Sequence, residues 1–406
     1  MKTQHLFIFV FLLIVAAIAI FTSTAAKAAT INVDDSGGKD YTNIQDAINA
    51  SSIGDTVYVY NGTYYEHLMI NKTLSLVGEN QSNTTIDGGS TGALITINAD
   101  YVNVSGFLMR NSGSTGSDAA VKITTTANYS TITYNTMIDT IYGVSVDTGS
   151  YNNISHNNII NSISGLTIQW SIHNTVTYNN ITNSNYYGLY LGYSSYNNVT
   201  SNNASNNGWY GIGLASGSLY SATNYNTINY NTVTNNTLDG IYLYSASNND
   251  IRYNNIYDNK QNGMRVDVNC ADTGNTVAGS WWGNASGPYN DTANPSSTGD
   301  NITLGITFSP WALSLIDIYA AQPPTQLSIR NITVSASGGK DYTTIQDAIN
   351  ASNNGDMVYV YNGTYYENLT INKTINLVGE SNQSTIIKGT GASDSKGIYV
   401  TANYVN

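Results

Sequence analysis

Few residues of this chain can move a proton. Charged side chains make up 10% of it, well under the quarter usual in globular domains. One stretch concentrates them: Asp239, Asp250, Arg252, Asp258, Lys260, Arg265 and Asp267. Carboxylates beside a basic group could act as acid and base on a sugar polymer, so Asp258, Arg265 and Asp267 are the candidate catalytic residues. A salt-bridge cluster bracing the last repeats accounts for the same residues more simply. Metal chemistry would need converging His, Met or Cys ligands. His67 and Met69 alternate along one segment, too few for a site, while His156 and His173 fall in different columns of the repeat pattern. No metal site is expected. Cys270 is alone, so no intramolecular disulfide is expected either.

The aromatic residues offer a different chemistry. There are 33 tyrosines against 6 phenylalanines, a bias towards rings that keep one edge wet. Aligned on their repeats, Tyr129, Tyr151, Tyr196 and Tyr225 form one file, and Tyr134, Tyr178, Tyr230 and Tyr253 a second. His173 falls in the first file and His156 in the second; Trp170 and Trp209 add flat faces nearby. Rings at regular intervals suit an extended polysaccharide, and these tyrosines with Trp209 are the candidate ligand-binding residues. The competing reading is that the rings stack on one another and brace the fold.

The elements that carry these files repeat every 22 or 23 residues, with one longer step: Ile132, Ile154, Val176, Val199, Ile228 and Ile251. A second register keeps time at Gly143, Gly165, Gly188, Gly211, Gly240 and Gly263. Short apolar pulses at that period predict a solenoid of stacked β-coils. Asn135, Asn157, Asn179, Asn202, Asn231 and Asn254 make a further column, and Asn152, Asn174, Asn197, Asn226 and Asn249 another. A buried amide needs partners, and a column of amides supplies them from coil to coil. We read these asparagines as structural ladders at the corners, where left-handed backbone is tolerated.

Residues 1–29 read as a secretory signal: Lys2, an apolar run over Leu6–Phe21, then Ala26-Lys27-Ala28. The expected location is therefore secreted or cell-surface, with membrane contact only through that segment or a C-terminal part absent from this sequence. Sequons such as Asn61, Asn103 and Asn198 are dense and point to a glycoprotein. A net charge of −12 without a Lys/Arg cluster argues against nucleic acid. Thr42 and Gln45 suggest a capping box opening a short amphipathic helix with Ile44, Ala47 and Ile48 on one face. That helix would cover the first coil. Trp281-Trp282-Gly283 to Phe308-Ser309-Pro310-Trp311 reads as a closing segment for residues 30–311, and 312–330 as a linker. From Ile332 the chain starts again: Ser337–Gly379 repeats Ser36–Gly78 at an offset of 301. Residues 331–406 read as a second, incomplete copy.

Gly37-Gly38-Lys39-Asp40-Tyr41-Thr42, Ile44-Gln45-Asp46-Ala47-Ile48 and Gly62-Thr63-Tyr64-Tyr65-Glu66 resemble the N-terminal region of the pectin lyase-like superfamily. The Asn-rich coils resemble right-handed parallel β-helix repeats of NosD-like and archaeal surface proteins. The resemblance implies an all-β fold, a right-handed parallel β-helix of three sheets with a short N-terminal capping helix. It implies polysaccharide or cell-envelope glycans as partners, and calcium if the chain were a lyase. Gly62, Tyr64 and Glu66 match a segment of the methylesterases, yet the aspartate pair, glutamine and arginine of that group have no counterpart here. The expected function is thus a non-catalytic surface or adhesin-like protein. The alternatives are a polysaccharide lyase or glycoside hydrolase, and a NosD-like periplasmic metal-binding accessory protein.

Overall fold

A computed structural model describes residues 28–401 apart from 117, 126, 217–222, 268–273, 304–307, 317–330, 353–355, 374, 382 and 391–396. Most of the signal segment and of the linker, and Cys270, lie outside the described residues.

The chain winds as a right-handed parallel β-solenoid. Each coil contributes one strand to each of three sheets, in the order first, second, third. The first sheet has eleven strands, from Thr30–Val33 to Thr276–Ala278. The second runs in nine strands from Gly62–Tyr64 to Asn255–Tyr257, and the third in nine from Leu68–Ile70 to Asn262–Val266. Every pairing in these sheets is parallel and in register from coil to coil: Val104 pairs with Ile132, Ile132 with Ile154, Ile154 with Val176. A three-residue strand such as Thr131–Thr133 buries only its middle residue. That alternation sends Ile132, Met137 and Val144 inward, and stacking them at the strand spacing builds one continuous apolar core.

At the corner after the second sheet Asp139, Asn161, Asn183, Asn206, Asn235 and Asp258 take the left-handed backbone expected of such corners, but the other two corners depart from the sequence expectation. The asparagines of the two principal columns do not adopt left-handed backbone; the residue before each of them does. Tyr129, Tyr134, Tyr151, His156, His173, Tyr178, Tyr196, Ser201, Tyr225, Tyr230 and Tyr253 have φ between 54° and 60°. Each turn is therefore a pair, an outward residue in the left-handed region followed by an inward Asn or, after Tyr129, by Ser130. The Asn is fully occupied. Asn179 Nδ2 donates to Ile154 O at 2.8 Å, Thr177 O at 3.2 Å and Asn202 Oδ1 at 3.0 Å. Its Oδ1 accepts from both the N and the Nδ2 of Asn157 at 3.0 Å. The same linkage runs from Asn135 to Asn254 and from Asn152 to Asn275. A third ladder, Asn207–Asn236–Asn259, turns the corner after the second sheet and ends on the Asp300 carboxylate.

The helix Ile44–Ala50 buries Ile44, Ala47 and Ile48 over the first coil. Its cap is not the expected box. The N-cap residue is Asn43, without a side-chain cap, and Glu66 accepts from the Ile44 and Gln45 backbone N–H groups at 2.8 and 2.9 Å. Negative charge at a helix start is the favourable sign. Tyr64 donates its hydroxyl to Tyr60 O at 3.0 Å. The Gly62-Tyr64-Glu66 segment is thus a joint between cap and coil. Within residues 331–401 Tyr365 and Glu367 make the same contacts, to Tyr361 and to the helix Ile345–Ala351, beside a separate apolar core. There Thr344 also caps the helix, accepting from Asp347 N. Beyond the last strand of the third sheet Trp282 is buried in the core, with Phe308 buried and Trp311 packed against it.

Candidate functional site

The third sheet carries the densest cluster of side chains able to bind or react. Its outward file runs, by register, through Ser145, Thr167, Tyr190, Gly213, Tyr242 and Arg265. Tyr187 and Tyr210 precede the strands of their coils, next to Asp239 and Asn262. Gly213 has a specific reason to lack a side chain: a Cβ there would lie 2.9 Å from the Tyr187 ring, which fills the gap in the file. Tyr187 then contacts Tyr190, Tyr210 and Trp209 with ring centres 4.9, 5.4 and 5.9 Å apart. Tyr210 stacks on Tyr242 at 4.6 Å. At the edge, Tyr186 and Trp209 meet at 4.4 Å and each keeps 42% of its surface exposed.

Arg265 lies across this cluster. Its guanidinium carbon is 4.3 Å from the Tyr242 ring centre and 5.5 Å from that of Tyr210, a cation–π arrangement. One Nη donates to the Tyr210 hydroxyl at 2.7 Å, and Nε lies 3.1 Å from Asp239 Oδ2. Asp239 has no exposed surface, and Asn262 Nδ2 donates to its other oxygen at 2.6 Å. Burial raises the Asp239 pKa despite these partners. Burial likewise pushes the hydroxyls of Tyr187 and Tyr242 up to about 12. The Arg265 pKa is also raised; burial opposes its charge, and Asp239, Tyr210 and Tyr242 together outweigh burial.

The three candidate catalytic residues do not share one partner set. Arg265 engages Asp239, a residue in the charged stretch but outside the candidate trio. Asp267 follows the Arg265 strand. Asp258 sits on the corner after the second sheet, where its N–H donates to Asp300 Oδ1 at 3.1 Å. Asp250 pairs with Arg252 at 2.6 Å on the first sheet. The charged stretch therefore divides among three faces of the solenoid.

The tyrosine files are stacks. Tyr101, Tyr129, Tyr151, His173, Tyr196 and Tyr225 form an unbroken column with ring centres 5.0 to 5.3 Å apart. The second column holds Tyr134, His156 and Tyr178 at 4.8 and 5.1 Å, then Tyr230 and Tyr253 at 5.2 Å. Neighbouring rings cover one another's faces and leave edges to solvent. Trp170 stacks on Tyr193 at 3.9 Å on the corner after the third sheet. Each aromatic pair contributes about 0.5–1.5 kcal/mol, offsetting part of a left-handed corner that costs roughly 1–2 kcal/mol.

The histidines are dispersed. His67 has its ring nitrogens 2.9 Å from Ala93 O and 3.0 Å from Thr91 Oγ1. His156 and His173 are sandwiched in different columns, and burial lowers the His156 pKa to about 4. Among the described residues no three His, Cys, Asp or Glu side chains converge. Met109 and Met137 are buried in the core. These residues do not fit a copper centre.

Two family models match the chain. The "Right handed beta helix region" covers residues 164–303, and the "Periplasmic copper-binding protein (NosD)" covers residues 48–219. The first agrees with the coil geometry above over the residues it matches. Over residues 48–219 the chain is similar to that family, and the described residues there present no copper ligand set. No curated protein matches. Among solved structures, the chain is similar to the A-module of mannuronan C-5 epimerase AlgE6 from Azotobacter vinelandii. That likeness has 15% identity and a TM-score of 0.44 and covers 89% of this chain and 94% of that one. An alginate lyase from Paenibacillus sp. shows 12% identity and a TM-score of 0.39, over 69% and 99% of the two chains. Tailspike protein 2 of bacteriophage CBA120 shows 14% identity and a TM-score of 0.42, over 70% and 46%.

Proposed function

We propose that this chain is an exported, non-catalytic β-helix protein of the cell surface that binds polysaccharide across its third sheet. The observation that carries this reading is the aromatic patch of Tyr186, Tyr187, Tyr190, Trp209, Tyr210 and Tyr242, open to solvent at Trp209 and Tyr186. Flat apolar faces bordered by hydroxyls suit the apolar faces and hydroxyl rims of sugar rings. The patch stands on rigid strands, so little ordering opposes binding. Export rests on the apolar leader. The two aromatic columns serve chiefly as braces, with their polar edges forming the walls of the scaffold.

Arg265 in this reading is a fixed hydrogen-bonding rim, because Asp239 and Tyr210 already engage its guanidinium. The chain's net charge of −12 favours neutral over polyanionic glycans. Affinity electrophoresis of the full chain through gels containing neutral and acidic polysaccharides tests this. At least one neutral polymer should retard it, and Trp209→Ala should weaken that retardation at least tenfold. Equal mobility in every gel would remove the proposal.

A further inference from the structure

The corner between the second and third sheets carries a file of apolar side chains outside the core. Tyr186 donates its N–H to Ile163 O at 2.8 Å, Trp209 to Tyr186 O at 2.9 Å and Leu238 to Trp209 O at 2.9 Å. These four residues therefore stand one above another on four successive coils. The file ends at Gln261, whose N–H donates to Leu238 O at 2.9 Å. Ile163 keeps 38% of its surface exposed, close to the 42% of Tyr186 and Trp209, and Leu238 is half-buried. The core does not need these side chains, because the inward places at this corner belong to Ser162, Ser184, Asn207 and Asn236, all buried. Single exposed apolar residues are ordinary, whereas a continuous exposed row marks a contact surface. Tyr186 and Trp209 are the open edge of the aromatic patch, and Ile163 and Leu238 carry that edge one coil further at each end.

We infer that this file is the track of a β-1,4-linked glucan, which lies along the solenoid axis with its ring faces on Ile163, Tyr186, Trp209 and Leu238. The inference rests on the glycan-binding reading and names the polymer and its direction at that site. Successive coils sit about 4.8 Å apart, so the four side chains form a straight row of roughly 14 Å. A straight, rigid row favours a straight ligand. Linkages that are equatorial at both ends hold successive rings in an extended ribbon. With every hydroxyl also equatorial, that ribbon presents an apolar C–H surface along its length. Axial linkages turn the chain into a coil that leaves the row after a ring or two. The ribbon's hydroxyls lie at its edges, where exposed Asn185 and Thr237 offer polar partners on the second-sheet side of the row. Asn185, Gly208 and Thr237 bring no charge to that side, as a neutral polymer requires.

Titration calorimetry of the full chain with cellohexaose, cellobiose and maltohexaose tests it. Cellohexaose should bind roughly tenfold more tightly than either of the others, since only it is both straight and long enough for the row. Ile163→Ser and Leu238→Ser should each weaken cellohexaose binding about threefold to tenfold, the worth of one partly exposed apolar side chain. Ile172→Ser, which changes an exposed isoleucine at the corner after the third sheet, should bind as wild type does. Thermal melting checks that the variants fold. Equal affinity for cellohexaose and maltohexaose would overturn the track and leave the third-sheet reading intact. Cellohexaose binding untouched by both Ile163→Ser and Leu238→Ser would do the same, as would retardation by a neutral polymer without cellohexaose binding. Absence of binding to every glycan would overturn both.

Discussion

The two aromatic columns use one corner geometry to different effect. In the first, six rings from Tyr101 to Tyr225 stack without interruption, and each inner ring has a neighbour on both faces. In the second, a single serine separates three rings from two, and among the described residues no ring contact spans its coil. The backbone beneath is the same in both: a left-handed residue, then, in nearly every coil, a buried asparagine. The fold is thus set by the inner amides, and the outer residue is free to vary.

The largest effect should come from breaking what the columns share. Asn179→Ala removes three donated and two accepted hydrogen bonds inside the solenoid. Stranding buried polar groups makes this cost roughly 3 kcal/mol or more, read from chemical denaturation. The columns should then separate from each other. Tyr151→Ala loses stacking on both Tyr129 and His173, about 1–3 kcal/mol. Tyr178→Ala loses stacking on His156 alone, about 0.5–1.5 kcal/mol. Equal losses from the two variants would contradict the break in the second column.

A smaller effect concerns acid. Burial in the second column depresses the His156 pKa to about 4, against roughly 6.5 in an unfolded chain. The unfolded state therefore binds more protons between these values. Stability from the neutral ring is complete above pH about 6.5 and declines as pH falls towards about 4. His156→Tyr should flatten that part of the pH–stability curve, and an unaltered slope would place the titrating group elsewhere.

The period of Ile132, Ile154 and Val176 made the parallel solenoid legible, because a coil of fixed length must repeat its inward residue. The asparagine columns were legible as ladders for the same reason. Their conformation was not, since the sequence shows the Tyr–Asn pair without saying which member takes the left-handed turn. The Asn207–Asn236–Asn259 ladder was harder to find, because Thr140, Ser162 and Ser184 occupy its earlier rungs. Glu66 capping a helix 22 residues earlier in the chain leaves no local trace, so Thr42 and Gln45 suggested a box that does not form. The third-sheet cluster escaped for a related reason. Tyr187 and Tyr210 lie just ahead of their strands, Asp239 opens its own, and they come together only once the coils are stacked; a glycine at 213 signals nothing until the Tyr187 ring is seen above it.

The most direct test of the account is whether the chain alters the polymers it binds. Purified full chain should be incubated with neutral and acidic polysaccharides, with and without calcium, while new reducing ends and unsaturated products are measured. The account predicts binding to a neutral polymer and no product from any. Product formation that disappears in Arg265→Ala would contradict it and make the Asp239–Arg265 pair a catalytic site.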